Sequence, residues 1–334
     1  MSYWYNNSGP QDDIAVSTRI RLARNINGYP FPARMTPEQS REINEKIHNA
    51  IINSNSPIAK KLKYIEMKDV PDNERFSMLE RHIASREFVC KPDNKAIILS
   101  EDETVSIMLG EEDHIRIQVI LSGLQLEKAY DIANSIDEIL CGSLDLAFDS
   151  TLGFLTECPT NLGTGLRASV MLHLPVSESK GEILSLAQSL SKIGFTVRGM
   201  YGEGSKSDGS LYQISNQVTL GVSEKNALDN LKVIAEQLIQ KERELQRDLN
   251  SIKTEDICMR ALGTLKYARK LSSSELITLI SRVKLGINIG VIKEKLNPIK
   301  TLIEGQPYML MKTYGNMTDD ERDICRADMV RRSM

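Results

Sequence analysis

Three short apolar runs decide the fold class before any motif does. Ala96–Ser100, Val105–Leu109 and Ile115–Ile120 are rich in β-branched residues and bounded by turn residues. Only the segments 101–104 and 110–114 separate them. A parallel pairing needs a crossover of about a dozen residues or more. These strands must therefore return as hairpins, with Gly110-Glu111-Glu112-Asp113-His114 as one connection. The fold class that follows is α+β, a mainly antiparallel sheet flanked by helices. Thr36-Pro37-Glu38-Gln39 joins an N-cap threonine, a proline at the first helical position and a capping-box glutamine, which predicts a helix to about Ser54. Further helices are expected over Leu126–Leu140 and Gly181–Ile193, the latter stopping at Gly194. Arg167–Leu174 alternates as a strand, and Phe195–Val197 and Gln217–Leu220 are read as two more.

The pattern changes near Ser223. Leu228, Leu231, Ala235, Leu238, Leu245 and Leu249 recur at helical spacing, as core or dimer packing. The remainder is largely helix-like, with Ser272–Ser274 an N-cap before Glu275–Leu285. The chain divides into a catalytic-type body over residues 14–250 and a helical C-terminal domain over 251–334, a division that 334 residues support. Basic and acidic residues nearly cancel, 42 against 45, which argues against a protein that coats nucleic acid. The five cysteines are scattered and form no CxxC pair, so reduced thiols and a cytoplasmic location are expected. MSYWYNNSGPQDD has no basic and apolar leader pattern, and no apolar run approaches the roughly 18 residues of a membrane span. The four histidines show no metal-ligand spacing, so no metal-binding residue is assigned.

Common catalytic motifs are missing. The chain has no GxxxxGK[ST], no H-R-D or D-F-G, no GxSxG and no HExxH, and YGEGSKSDG (201–209) matches no dinucleotide fingerprint. Five stretches stand out instead: STRIRLARN (17–25), EEDHIR (111–116), CPTNLGTGLRASVMLHL (158–174), RGMYGEGS (198–205) and RDICRA (322–327). Arg19 and Arg21 share one face of an extended strand. Buried guanidiniums without partners are costly. A polyanion such as a triphosphate would satisfy Arg19, Arg21, Arg116, Arg167 and Arg198 together, because each fork fits phosphate oxygens.

These stretches, in this order, resemble the phosphagen (guanidino) kinases: S-[ST]-R-[IV]-R, E-E-D-H-x-R, CP[ST]NLGTGLRA and R-G-x-x-G-E. RIRLARN, RASVMLHLP, YGEGS followed by QISNQ, and RDxxRA are most similar to the branch that phosphorylates arginine in bacterial proteins. The resemblance implies a glutamine-synthetase-like catalytic domain. It also implies ATP as phosphoryl donor, with Mg²⁺ held mainly through the phosphates. Ser17, Thr18, Arg19, Ile20, Arg21, His82, Arg116, Arg167, Ala168, Ser169, Val170, Met171, Arg198, Gly199, Met200, Tyr201, Gly202 and Glu203 would line the nucleotide. Glu112 would be general base, Glu203 would orient the acceptor guanidinium, and Cys158 would lie against it as a thiolate. Gly163 and Gly165 are expected to let backbone approach the ligand. Arg322, Asp323, Arg326 and Ala327 would form a phosphoarginine pocket with an allosteric role.

The metabolite kinases of the family carry a helical domain ahead of the first arginine motif. Here that motif begins at Ser17, which leads to the expectation of an acceptor site open to arginine in a protein. The branch further implies marking of proteins for a Clp-type ATPase and protease, inactivation of a heat-shock repressor, a zinc-finger activator protein and a homodimer. Two other readings compete: a kinase for free arginine or a related guanidino metabolite, and a non-catalytic phosphoarginine-binding adaptor. His173 is read as structural, whereas His114, directly after the EED motif, is left open between a role at the site and a hydrogen bond within the turn.

Overall fold

The computed structural model describes residues 3–54, 56–199, 208–249 and 251–334. Its strands are β1 (Ala15–Arg24), β2 (Leu62–Glu66), β3 (Ala96–Ser100), β4 (Val105–Leu109), β5 (Ile115–Ser122), β6 (Phe148–Asp149), β7 (Gly153–Phe154), β8 (Leu166–His173), β9 (Phe195–Gly199) and β10 (Leu211–Asn216). Eight of them form one antiparallel sheet in the order β2-β3-β4-β5-β1-β8-β10-β9, and β6 pairs with β7. The helices are α1 (Pro37–Ile52), α2 (Asp72–Glu80), α3 (Arg86–Cys90), α4 (Leu126–Ser143), α5 (Pro175–Ser179), α6 (Ile183–Ser191) and α7 (Glu224–Arg247). The C-terminal region adds α8 (Ile252–Tyr267), α9 (Ser273–Asn288), α10 (Pro298–Glu304), α11 (Pro307–Tyr314) and α12 (Asp319–Ser333).

The expected hairpins are present, and α1 begins with the complete Thr36–Gln39 capping box. The strand expected at Gln217–Leu220 lies instead at Leu211–Asn216. The Asn216 side chain explains why pairing stops there. It accepts from Ala168 N at 2.8 Å and donates to Leu166 O at 3.0 Å and Val218 O at 3.2 Å, so a side chain takes over the end of the ladder. The chain then peels away, and Thr219 Oγ1 donates to Leu162 O at 2.7 Å. The edge strand β2 had no clear sequence signal, because its residues are only half-buried or exposed.

Register separates the two faces of the sheet. Arg19 stands opposite Ile120 and Ser169, Arg21 opposite Gln118 and Arg167, and Ala23 opposite Arg116. Met171 pairs with Gln213, which pairs with Arg198. Directly opposed residues point to the same side, so all five expected arginines share one face. The alternate positions Ile20, Leu22, Ile117, Val119, Ala168, Val170 and Ile214 are at most 1% exposed. They form the main core with α4, α7 and α1, and there Leu228, Leu231, Ala235 and Ile239 of α7 are consumed. Of the stripe, Leu228, Leu231 and Ala235 are thus core packing, and Leu238 packs against the core from a partly buried position.

Arg24 ends β1 on the core face, 1% exposed. Its Nε and Nη2 donate to Asp137 of α4 at 2.9 and 2.7 Å, and Nη1 donates to Ala23 O and Thr164 O. The guanidinium also lies 3.5 Å from the centre of the Phe154 ring. Asp137→Ala leaves this buried cation without its carboxylate and is expected to cost about 3–5 kcal/mol. Urea unfolding measures this; a loss below about 1 kcal/mol would show that the carbonyls alone suffice.

Candidate active site

Two of the motifs, and the segment just ahead of a third, meet at one buried carboxylate. Asp113, fully buried, accepts through Oδ1 from Asn25 Nδ2 at 2.7 Å and from Glu157 N at 2.9 Å. Asn25 closes the circuit by accepting from His114 N at 2.9 Å and donating to Leu155 O at 2.9 Å. One side-chain node therefore fixes the end of β1, the β4–β5 connection and the loop leading to Cys158. Burial raises the Asp113 pKa against the pull of these donors. His114 completes the joint: its Nδ1 accepts from Ile26 N at 3.0 Å and its Nε2 lies 2.8 Å from Pro30 O. It is structural, as is His173, whose Nε2 is 2.8 Å from Ser281 Oγ of α9.

The node holds a pocket of about 170 Å³ lined by Arg21, Ala23, Glu112, Arg116, Cys158, Thr160, Asn161, Gly165 and Arg167. Glu112 Oε2 accepts from Arg116 at 3.0 Å and remains one-third exposed. Glu111 is 5% exposed, pairs with Arg116 and accepts from Ser85 Oγ. Neighbouring carboxylates thus differ in kind: Glu112 faces the pocket, whereas Glu111 anchors Arg116. Cys158 Sγ lies 3.0 Å from Thr160 Oγ1. Positive φ at Gly163 and Gly165 meets a demand of the protein's own packing, and Gly165 also lines the pocket. A Cβ at Gly163 would meet Thr219 O at 2.3 Å, and one at Gly165 would meet Ala23 O at 2.6 Å.

A second pocket, about 230 Å³, continues along the same face and includes Ser17, Arg19, His82, Ser169 and Met171. Thr18, Ile20, Ala168 and Val170, expected beside the nucleotide, are fully buried and point their side chains to the opposite face. Period-two alternation requires this. Arg198 and Gly199 end β9, while Met200, Tyr201, Gly202 and Glu203 lie outside the described residues. Gln213, not anticipated, accepts from Arg19 Nη2 at 2.8 Å. Its alternation with Leu211 and Ser215 was hidden by the misplaced strand.

The guanidinium cluster is electrostatically costly as it stands. Burial, then Arg167 and Arg116, push the Arg19 pKa down to about 10. Arg21 is depressed further by burial, then by Arg19, Arg116 and Arg167. Its Nε is buried without a hydrogen-bond partner among the described residues. Guanidiniums do not deprotonate in water, so these directions express a demand for negative charge. Polyphosphate oxygens fit it, in number and in fork geometry. Among the described residues no group of three or more His, Cys, Asp or Glu is placed to hold a metal ion.

The RDxxRA stretch lies on α12, which Thr318 and Glu321 start with a capping box. Arg326 is 1% exposed and donates to Gly305 O and Leu271 O, both at 2.7 Å, and to Asp323 at 2.6 Å. Arg322 is more open, donating to Met317 O at 3.2 Å and pairing with Asp319. Ala327 is buried.

Residues 42–245 match the family described as ATP:guanido phosphotransferase, C-terminal catalytic domain, and residues 251–334 match the protein-arginine kinase McsB C-terminal domain. The chain is 42% identical to a protein-arginine kinase of Halothermothrix orenii, over 99% of this chain and 96% of that protein. It is also 42% identical to one of Clostridium acetobutylicum over the full length of both. Among solved structures, lombricine kinase superimposes with a TM-score of 0.60 at 25% identity, covering 70% of this chain and 67% of that one.

His82 supplies a pH test. Burial, then Arg19, lowers its pKa to about 4. The folded state therefore binds fewer protons than the unfolded state between about 6.5 and 4. Stability contributed by the neutral ring is full above about pH 6.5 and falls as pH drops toward 4. Its backbone is left-handed, φ 61°, a conformation asparagine tolerates. His82→Asn is expected to flatten the unfolding free energy in this window relative to the unmodified protein; parallel curves would assign the loss to other groups.

Proposed function

The chain belongs to the protein-arginine kinase branch of the ATP:guanido phosphotransferase family, and we propose that the 170 Å³ pocket is where a protein-borne arginine meets the γ-phosphate of ATP. The observation that carries this reading is the placement of Glu112 and Cys158 against Arg21, Arg116 and Arg167 in one cavity. The arginines would hold the triphosphate, with Mg²⁺ carried on its oxygens. Phosphoryl transfer depends on positioning and charge neutralisation more than on covalent help from the protein.

The acceptor guanidinium has no free lone pair while protonated. In the proposed step a guanidinium nitrogen forms the N–P bond, the bond to the β-phosphate oxygen breaks, and the nitrogen's proton passes to Glu112. Neighbouring carboxylates favour the charged guanidinium, so the proton leaves late. Glu203 would orient the acceptor and Cys158 would lie against it. Bidentate orientation of this kind supplies several kcal/mol of the barrier when the fit is tight. Family membership supports the wider role: a cytoplasmic homodimer, working with a zinc-finger activator, that marks proteins for a Clp-type ATPase and inactivates a heat-shock repressor.

Incubation with Mg-ATP and an unfolded protein is expected to give label that survives neutral pH and is lost in mild acid. Glu112→Gln should lower kcat at least about 100-fold with KM for ATP little changed. Label on free arginine alone would return the site to metabolite chemistry, and a chain that binds phosphoarginine without transferring phosphate would be an adaptor.

We further propose that phosphoarginine binds beside Arg322, with Arg326 as the buried support. The greater exposure of Arg322 favours this division. Arg322→Ala is expected to weaken binding of a phosphoarginine peptide about tenfold with Tm unchanged. Arg326→Ala should lower Tm through the orphaned carbonyls and Asp323. Unchanged peptide binding in Arg322→Ala would remove the pocket from this motif.

A further inference from the structure

The 230 Å³ pocket is not built by the catalytic sheet alone. Its polar end carries Arg19 and Ser169, beside the guanidinium cluster. Besides Leu79 and Ala84, from α2 and the loop after it, its apolar residues come from three separate parts of the chain. Met171 comes from the sheet, Trp4 from the N-terminal segment, and Ile299, Leu302 and Ile303 from α10 of the C-terminal region.

Each part is held in place. Trp4 is 3% exposed, donates from Nε1 to Arg81 O at 2.9 Å, and has its ring centre 6.4 Å from that of His82. Leu302 and Ile303 are 3% and 2% exposed, whereas Ile299 is half-buried. Asn297 caps α10 by accepting from Lys300 N at 3.0 Å, and its Nδ2 donates to Tyr5 O at 3.3 Å, beside Trp4. The other end of α10 is fastened by Arg326, which donates to Gly305 O at 2.7 Å.

A nucleoside triphosphate has the same polarity gradient, anionic at one end and flat and largely apolar at the other. With the phosphates on the arginines, the base falls at the apolar end. We propose that α10 and Trp4 form the base-side wall of the nucleotide site, so that the C-terminal region is part of the ATP site itself. This inference rests on the kinase reading above and adds specificity-determining residues to it.

Trp4 is the chain's single tryptophan, which gives a direct readout. Saturating ADP is expected to change its emission, whereas inorganic tripolyphosphate, which has no base, should bind and leave emission nearly unchanged. Ile299 is the residue to vary, because its partial exposure spares the fold. Ile299→Ala is expected to weaken ADP binding about five- to tenfold, the scale of lost apolar contact in a ligand pocket, and to leave tripolyphosphate binding unchanged. Calorimetry measures both affinities. Indifference of Trp4 to ADP together with equal effects of Ile299→Ala on both ligands, or no effect on either, would overturn the wall while leaving the phosphate site intact. If the unmodified protein bound neither ligand, the nucleotide reading would fall and the wall with it.

Discussion

Repulsion among guanidiniums on one sheet face is the constraint around which this protein is built. Arg116 and Arg167 depress Arg19, and together with Arg19 they depress Arg21, after burial has already disfavoured both charges. Glu111 and Glu112 on Arg116, and Gln213 on Arg19, counter this only locally, and the arrangement needs more than these contacts. It is held by the opposite face, where Ile20, Leu22, Ile117, Ala168 and Val170 are sealed beneath α4 and α7. The same strands carry both sets of residues, so apolar burial on one side maintains like charges on the other. A site strained in this way is preorganised for an anion, because the cost of gathering the cations is met during folding and not at binding.

Glu111 and Glu112 illustrate how the cluster is kept from collapsing onto its own acids. Glu111 is committed to Arg116 and Ser85 from a buried position. Glu112 touches Arg116 through one oxygen and keeps access to the cavity. Adjacent residues of the same type thus take different roles because the turn between β4 and β5 points them in different directions. Asp113, the third acid in the row, is withdrawn entirely to join Asn25 and Glu157 N.

Much of this was legible in the sequence, for physical reasons that can be named. Hairpin spacing gave the antiparallel sheet, and period-two alternation put Arg19 and Arg21 on one face. The capping box at Thr36 marked one helix start. What the sequence could not show is where pairing ends when a side chain intervenes. Asn216 stops β10, and the strand was consequently sought one segment too late. Nor could it show that Gly163 and Gly165 are needed for contact with Thr219 and Ala23, because both partners are distant in the chain. The same holds for α10, whose apolar residues look like ordinary core until the fold brings them to the pocket.

One irregularity in β1 has a larger consequence than its size suggests. The register against β8 shifts between Ala15 and Ser17, a bulge that frees Val16 from strict alternation. Ala15 packs into the main core, while Val16 joins the cluster formed with α8, α9 and α10. A perfectly regular strand would have forced a choice between docking the helical region and keeping the arginine ladder in phase. The extra residue uncouples the two demands, so the sequence ahead of Ser17 can adapt to the helical region without moving a single guanidinium.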